Sequence, residues 1–387
     1  MHQTSVVGGG SYCLLNIVKS LDKNRFEPVV ALKDNGPLVD ELKKQGVEVL
    51  IYKQMSEIPY NQTLFRLRSV KNYYSIYKSV ASFKELLKKN NIDIVYLNNM
   101  MLYRYLKPSR ELGVKTVIHI REHWPLDEHR VQLGWAQRDV CQYADKVIAI
   151  NQYSASMFPK SKITIVYDWI DFSERYEYCP LDRLFGGDIS KLKVYLFTGG
   201  LAPIKGAYEV IEAFEEAVKD DNSRLLMMGF TEEITGTPLK KKIKLLLSKI
   251  GLPTYDCKVK MLARKDSRIV CIPGNYKLKH IIEQSYCMLS YYTMPHANLA
   301  MAESIILGTP VIAAETEEAL EYSCNGQAAM LFKINSRTEF IKTIRGFESH
   351  RLELHKRISE KRDEMGKTFN PKLNVDKLNK VLSELSL

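Results

Sequence analysis

An apolar stretch at 194–198 runs into Gly199-Gly200-Leu201-Ala202-Pro203-Ile204-Lys205-Gly206, after which Val210, Ile211, Phe214, Ala217 and Val218 recur at helical spacing. Strand, glycine turn and helix in that order make a seat for a diphosphate. Glycines let the backbone come close to an anion, the helix start offers unpaired N–H groups and its positive dipole end, and Lys205 adds a full charge. Further along, Pro295-His296-Ala297-Asn298-Leu299-Ala300-Met301-Ala302-Glu303 leads to Gly308-Thr309-Pro310 and the apolar run 311–314. Ordinary helix-to-strand punctuation at Gly308 is the plain reading of that segment. Glu303 lifts it, because a carboxylate inside an otherwise apolar helix is uncommon unless paired or liganded. Beside a nucleotide it could accept both ribose hydroxyls.

These segments need a parallel sheet to position them, and the chain alternates in the way that builds one. In the first half, 28–32, 47–51, 94–97, 116–120, 146–150 and 164–166 read as strands with amphipathic stretches between them. A second series has strands at 194–198, 225–228, 269–272, 288–292, 311–314 and 330–332, with helices after Gly206 and around 239–250, 277–285 and 300–307. The spacing therefore predicts two doubly wound domains, 1–170 and 193–370, joined by a polar, aromatic linker at 171–192 and followed by a helix at 371–387 that starts at Pro371. Before Gly8-Gly9-Gly10-Ser11 only 2–7 is left to supply the strand that such a turn calls for, and it starts too polar for a central one. A missing first strand is the expectation, through truncation or a misassigned start codon.

At 387 residues the chain exceeds one ordinary core, and 45% hydrophobic with 26% charged residues is a globular balance. No apolar run of the roughly 18 residues that span a bilayer occurs. A net charge of +11 favours acidic partners without choosing among nucleic acid, anionic lipid and phosphorylated small molecules. The cysteines are seven, scattered and without a Cys-x-x-Cys pair, so neither a disulfide framework nor a zinc site is indicated, and a reducing cytoplasm is the simplest setting. Residues 60–90 hold seven cations, one acid and six aromatics. Such a helix suits an anionic membrane surface, at the inner face of the plasma membrane for a cytoplasmic protein, and equally suits a solvated face. Lys240-Lys241-Lys242-Ile243-Lys244 reads as a solvated cluster, and no nucleic-acid module is visible.

With those motifs in order, the chain resembles the GT-B fold glycosyltransferases of family 4 over nearly its whole length. The likeness is strongest at 197–214 and 295–313, with weaker matches at Gly8-Gly9-Gly10-Ser11, Ile118-His119-Ile120-Arg121-Glu122, 144–150 and Ile165-Val166-Tyr167-Asp168. It implies an α/β architecture of two Rossmann-like domains facing a cleft, with the C-terminal helix packing back. It also implies transfer of a sugar, with retention, from a nucleoside-diphosphate donor to a glycan or lipid-linked acceptor in surface polysaccharide synthesis. By resemblance Gly9 and Gly10 border the donor phosphates, Gly199, Gly200 and Lys205 hold the diphosphate, and Glu303 holds the ribose. Gly274 and Asn275 are placed for the base. Glu122 touches the acceptor or donor sugar, and His119 has a catalytic place as readily as a core one. Trp124 reads as a packing aromatic sooner than a sugar platform.

Two departures stand out. The family's arginine after the first glycine of the turn is Gly200 here, and the first glutamate of its pair falls on Pro295. Sugar contact is then expected from His296, Ala297, Asn298 and Leu299. No Asp-x-Asp occurs, so no metal or other cofactor is expected, and no nucleic-acid partner. The alternatives are a nucleotide-sugar epimerase on the same fold, or a nucleotide-binding relative without turnover.

Overall fold

A computed structural model describes residues 1–6, 8–59, 67–124, 126–172, 181–230, 242, 244, 251–274 and 278–385, without the side chains of 68, 69 and 126–130. Asn275, Lys240, Lys241, residues 60–66 and most of the helix expected at 239–250 lie outside that set. Two compact units result, one of Met1–Trp169 with Asn370–Leu387, the other of Ile170–Phe369.

In the first unit the apolar runs form β1 (Val29–Leu32), β2 (Glu48–Ile51), β3 (Ile94–Leu97), β4 (Lys115–Ile120), β5 (Lys146–Ala149) and β6 (Ile163–Ile165). Every pairing is parallel, as buried runs joined by helices require. They fall into two sheets, β1-β2 and β3-β4-β5-β6. Met1 and His2 run between the two. The His2 N–H donates to Ala31 O (3.0 Å) on one side. On the other, the Met1 amine donates to Tyr96 O (2.6 Å) and the Asn98 N–H to Met1 O (3.1 Å). The place of a central strand is thus held by these two residues, and His2 is buried there. The helix Pro371–Ser383 belongs to this unit. Leu378, Val381 and Leu382 pack with Val117, Ile148, Val166 and Trp169 on one sheet face, and Asn374 Oδ1 accepts from the Tyr167 N–H (3.1 Å).

The second unit is one parallel sheet of β7 (Lys193–Phe197), β8 (Ser223–Met228), β9 (Ile269–Ile272), β10 (Cys287–Ser290), β11 (Val311–Glu315) and β12 (Met330–Lys333). Its order is β12-β11-β10-β7-β8-β9. Strand β10, expected to run to 292, ends at Ser290 because Tyr291 and Tyr292 turn out of the sheet toward the loop after β7. Part of the stretch read as a linker packs into this unit: Leu181–Phe185 is a short helix, and Leu181 is fully buried against Val194, Leu196, Ile281 and Ile282. The helix Arg337–Thr368 ends before Pro371, which starts the next helix in the position where a missing N–H costs nothing.

Candidate functional site

Chain order reverses in the second sheet between β7 and β10: the chain goes on to β8 and β9 on one side, and to β11 and β12 on the other. Loops leaving the carboxyl ends of two such strands part company and leave a crevice, the usual ligand place in an open α/β sheet. A small crevice lies there, lined by Phe197, Thr198, Gly199, Lys205, Ser290, Tyr292 and Asn298.

Lys205 is its charge. Its Nζ donates to the Tyr292 hydroxyl at 2.5 Å and sits 4.4 Å from that ring's centre. No carboxylate pairs with Lys205 among the described residues. The Thr293 N–H donates to Ile204 O (3.0 Å) and ties the two loops together. An ammonium beside a glycine turn, with no described carboxylate to compensate it, is an arrangement that can hold an anion.

Gly200 has φ +64° and donates its N–H to Met228 O at 3.0 Å. A Cβ on it would come within 3.1 Å of Gly229 O, and one on Gly229 (φ +87°) within 2.8 Å of Gly200 Cα. The loops after β7 and β8 therefore touch backbone to backbone, which any side chain at 200 would oppose. Gly274, after β9, lies against Gly229 in turn, its Cβ position 3.9 Å from Gly229 Cα. Its expected neighbour Asn275 is outside the described residues.

The helix after the turn, Ala207–Ala217, departs from expectation. Its start is not an open set of N–H groups. The Tyr255 hydroxyl accepts from the Tyr208 N–H (3.1 Å) and leans on Glu209 (3.4 Å), so a side chain already occupies part of that helix end.

Asn298 is likewise spent on structure. Its Oδ1 caps the helix Leu299–Leu307 by accepting from the Met301 N–H (3.3 Å), and its Nδ2 donates to Ser290 Oγ (3.0 Å) on β10. Ala297 and Leu299 flank it. The His296 ring is 5.5 Å from that of Tyr292, and burial together with the Lys205 ammonium holds it neutral, down at about 3. Glu303, one turn into the helix, has no hydrogen-bond or ion-pair partner among the described residues, and burial pushes its carboxyl up to about 7.

The first unit gathers a second set of polar groups at the carboxyl end of β4. His119 is buried: its Nδ1 meets the Tyr96 hydroxyl at 2.6 Å, and its Nε2 has no partner among the described residues. Burial and the Arg121 guanidinium push it well below the usual histidine range. Arg121 pairs with Asp168 at 2.6 Å, both largely buried, with the Cys13 thiol against them. Glu122 Oε1 accepts from Trp124 Nε1 (3.4 Å), while Oε2 is buried without a partner among the described residues. Burial raises this carboxyl to about 7. Trp124 is fully buried edge-on to Tyr103, a packing aromatic. Gly9 and Gly10 open the helix Gly9–Ser20 and are exposed; a Cβ at Gly9 would meet nothing within 4 Å.

Reasoning from sequence missed Tyr292, absorbed into an expected strand, and Tyr255, which carries no motif. The Arg121–Asp168 pair had one signal, since each residue follows a strand end. Among the described residues, no group of three or more His, Cys, Asp or Glu side chains could hold a metal ion.

Residues 7–174 match the family model described as Glycosyltransferase Family 4, and residues 185–365 the one described as Glycosyl transferases group 1. The chain belongs to glycosyltransferase family 4. This family 4 glycosyltransferase has the GT-B class of fold expected from its sequence, two Rossmann-like halves with parallel sheets. The Anabaena protein Alr3699/HepE, solved with UDP and glucose, is 17% identical with a TM-score of 0.72, over 99% of this chain and 98% of that one. A Rickettsia africae glycosyltransferase is 17% identical with a TM-score of 0.67, over 99% and 97%. A sucrose-phosphate synthase from Thermosynechococcus elongatus is 12% identical with a TM-score of 0.69, over 99% and 94%. No curated protein sequence matches the chain. Among the described residues no helix is long and apolar enough to cross a membrane.

Proposed function

We propose that this glycosyltransferase uses a nucleoside-diphosphate sugar as donor and transfers the sugar with retention to a glycan or lipid-linked acceptor of surface polysaccharide synthesis. The observation that carries the donor class is the Lys205 ammonium, unpaired by any described carboxylate and set at the switch point of the second sheet. Breaking the bond from the sugar C1 to the phosphate oxygen leaves negative charge on the β-phosphate, and a cation already fixed there stabilises that charge without reorganising. In this reading the acceptor hydroxyl attacks on the face the phosphate leaves, and its proton goes to the departing phosphate oxygen. No side-chain nucleophile is called for.

Glu303 serves the ribose hydroxyls in this reading, and Gly274 with Asn275 lies near the base. The neutral His296 serves the sugar where Pro295 has replaced a glutamate. Gly9 and Gly10, exposed at the start of Gly9–Ser20, serve phosphate contact in this reading. Glu122 and His119, each with a polar atom that has no partner among the described residues, serve the acceptor side, and Lys205 supplies the positive charge without a metal. Because similar structures hold UDP and UDP-glucose, UDP is the first nucleotide to test.

Calorimetric titration with UDP, GDP, ADP and CMP tests the reading. One nucleoside diphosphate should bind, about ten- to a hundredfold more weakly to Lys205→Ala and severalfold more weakly to Tyr292→Phe, while the parent nucleoside binds all three proteins alike. A folded protein that binds none of the four would overturn it. Binding with no sugar transfer, or donor conversion without an acceptor, would assign the vestigial or epimerase reading instead.

A further inference from the structure

The helix Leu67–Lys89 carries a second apolar side besides the one that faces the core. Tyr73, Ile76, Phe83 and Leu87 face inward to the core of the first unit, with Tyr73 edge-on to Trp135 at 5.8 Å and the Arg104 guanidinium over its ring. That contact fixes which way the helix is turned. On the other side Leu67, Val70, Tyr74 and Tyr77 follow one another at intervals of three and four and form one stripe. They are exposed, Leu67 at 90% and Tyr77 at 79%. Other large apolar side chains exposed among the described residues are scattered singly, which needs no explanation. A line of four on one helix face is a different case.

Charge says what covers it. Lys71 and Lys78 border the stripe, and the Lys78 ammonium lies over the Tyr74 ring at 4.6 Å. Neither lysine has an acidic partner among the described residues. No acidic residue occurs between 58 and 84. Apolar rings flanked by unpaired lysines on a helix lying flat match an anionic bilayer, where tyrosines settle at the headgroup level and lysine stems reach past them to the phosphates. The exposed stripe is about 15 Å long, enough for several headgroups and too short to cross.

We propose that this outer face of Leu67–Lys89 docks the protein on the surface of an anionic phospholipid bilayer. The full chain should co-sediment with vesicles of phosphatidylcholine and phosphatidylglycerol about tenfold or more better than with pure phosphatidylcholine, and lose that advantage in high salt. Lys71→Glu with Lys78→Glu should weaken this binding about tenfold or more. Tyr77→Ser should weaken it severalfold at all salt concentrations, with unchanged circular-dichroism melting, since these side chains touch no core. Equal binding of wild type and both variants, or no binding to anionic vesicles at low salt, overturns the proposal. So does a wild-type dimer by light scattering that Tyr77→Ser makes monomeric, which would give the face to a second copy of the chain.

Discussion

Glu303 makes a sign-definite demand on pH. A glutamate in the unfolded chain titrates near 4.5 and this partly buried one in the folded protein at about 7, so between those values the folded protein keeps a proton that the unfolded chain has lost. Stability from this residue is therefore greatest at low pH and falls as pH rises from 4.5 through 7, by at most about 3 kcal/mol. A ribose diol needs the opposite form, the carboxylate. Glu303→Gln should raise Tm at pH 8, leave it nearly unchanged at pH 4.5, and abolish the rise in nucleotide affinity across pH 6–8 that the wild type should show. Differential scanning calorimetry and titration at three pH values check this; a wild-type affinity flat with pH would remove Glu303 from the ribose. That this carboxylate is special was legible in the sequence, because an acid in an apolar helix has few innocent readings. His119 was legible only as a residue near the end of a strand, and Glu122 only as one just beyond it. Which of their atoms lack partners depended on Trp124, Tyr96 and Arg121 meeting them in three dimensions.

Among elements, the helix Leu299–Leu307 depends on a single side chain at its start. Asn298 both caps it and holds it to Ser290 on β10, while Gly308 closes it in the left-handed conformation. Asn298→Ala should lower stability by about 1–2 kcal/mol through loss of the cap and of the tie to the sheet. It should also weaken nucleotide binding, because Glu303 rides on that helix. Urea unfolding with a parallel titration measures both, and weakened binding with unchanged stability would mean that Asn298 meets the donor directly. The sequence marks this element by its apolar spacing and the Gly after it, whereas Asn298, expected at the sugar, caps the helix instead. The start of Ala207–Ala217 shows the limit of such signals, since the turn before it reads as an open anion seat while Tyr255, 47 residues away, fills part of it.

On the scale of the molecule, the second unit is continuous in sequence and the first is completed by 370–387. Removing those residues would uncover Val117, Ile148, Val166 and Trp169. The shortened chain should melt in two steps, the first unit earlier by on the order of 10 °C, with nucleoside-diphosphate binding kept by the second; one unshifted transition in a calorimetric scan would refute this. By itself the sequence determined the twelve strands found among the described residues, their parallel class, the glycine turn with Lys205, and Glu303, because each follows from a period, a propensity or a charge that acts within a few residues. Only the tertiary structure decided that β10 lies beside β7, with Cys287 opposite Tyr195, so that Tyr292 reaches Lys205 across 87 residues of chain. It likewise decided that Gly200 presses on Gly229, and that Met1 and His2 lie between β1 and β3. Strand order and loop contact are settled by which buried faces fit together over the whole chain, and no local pattern carries that information.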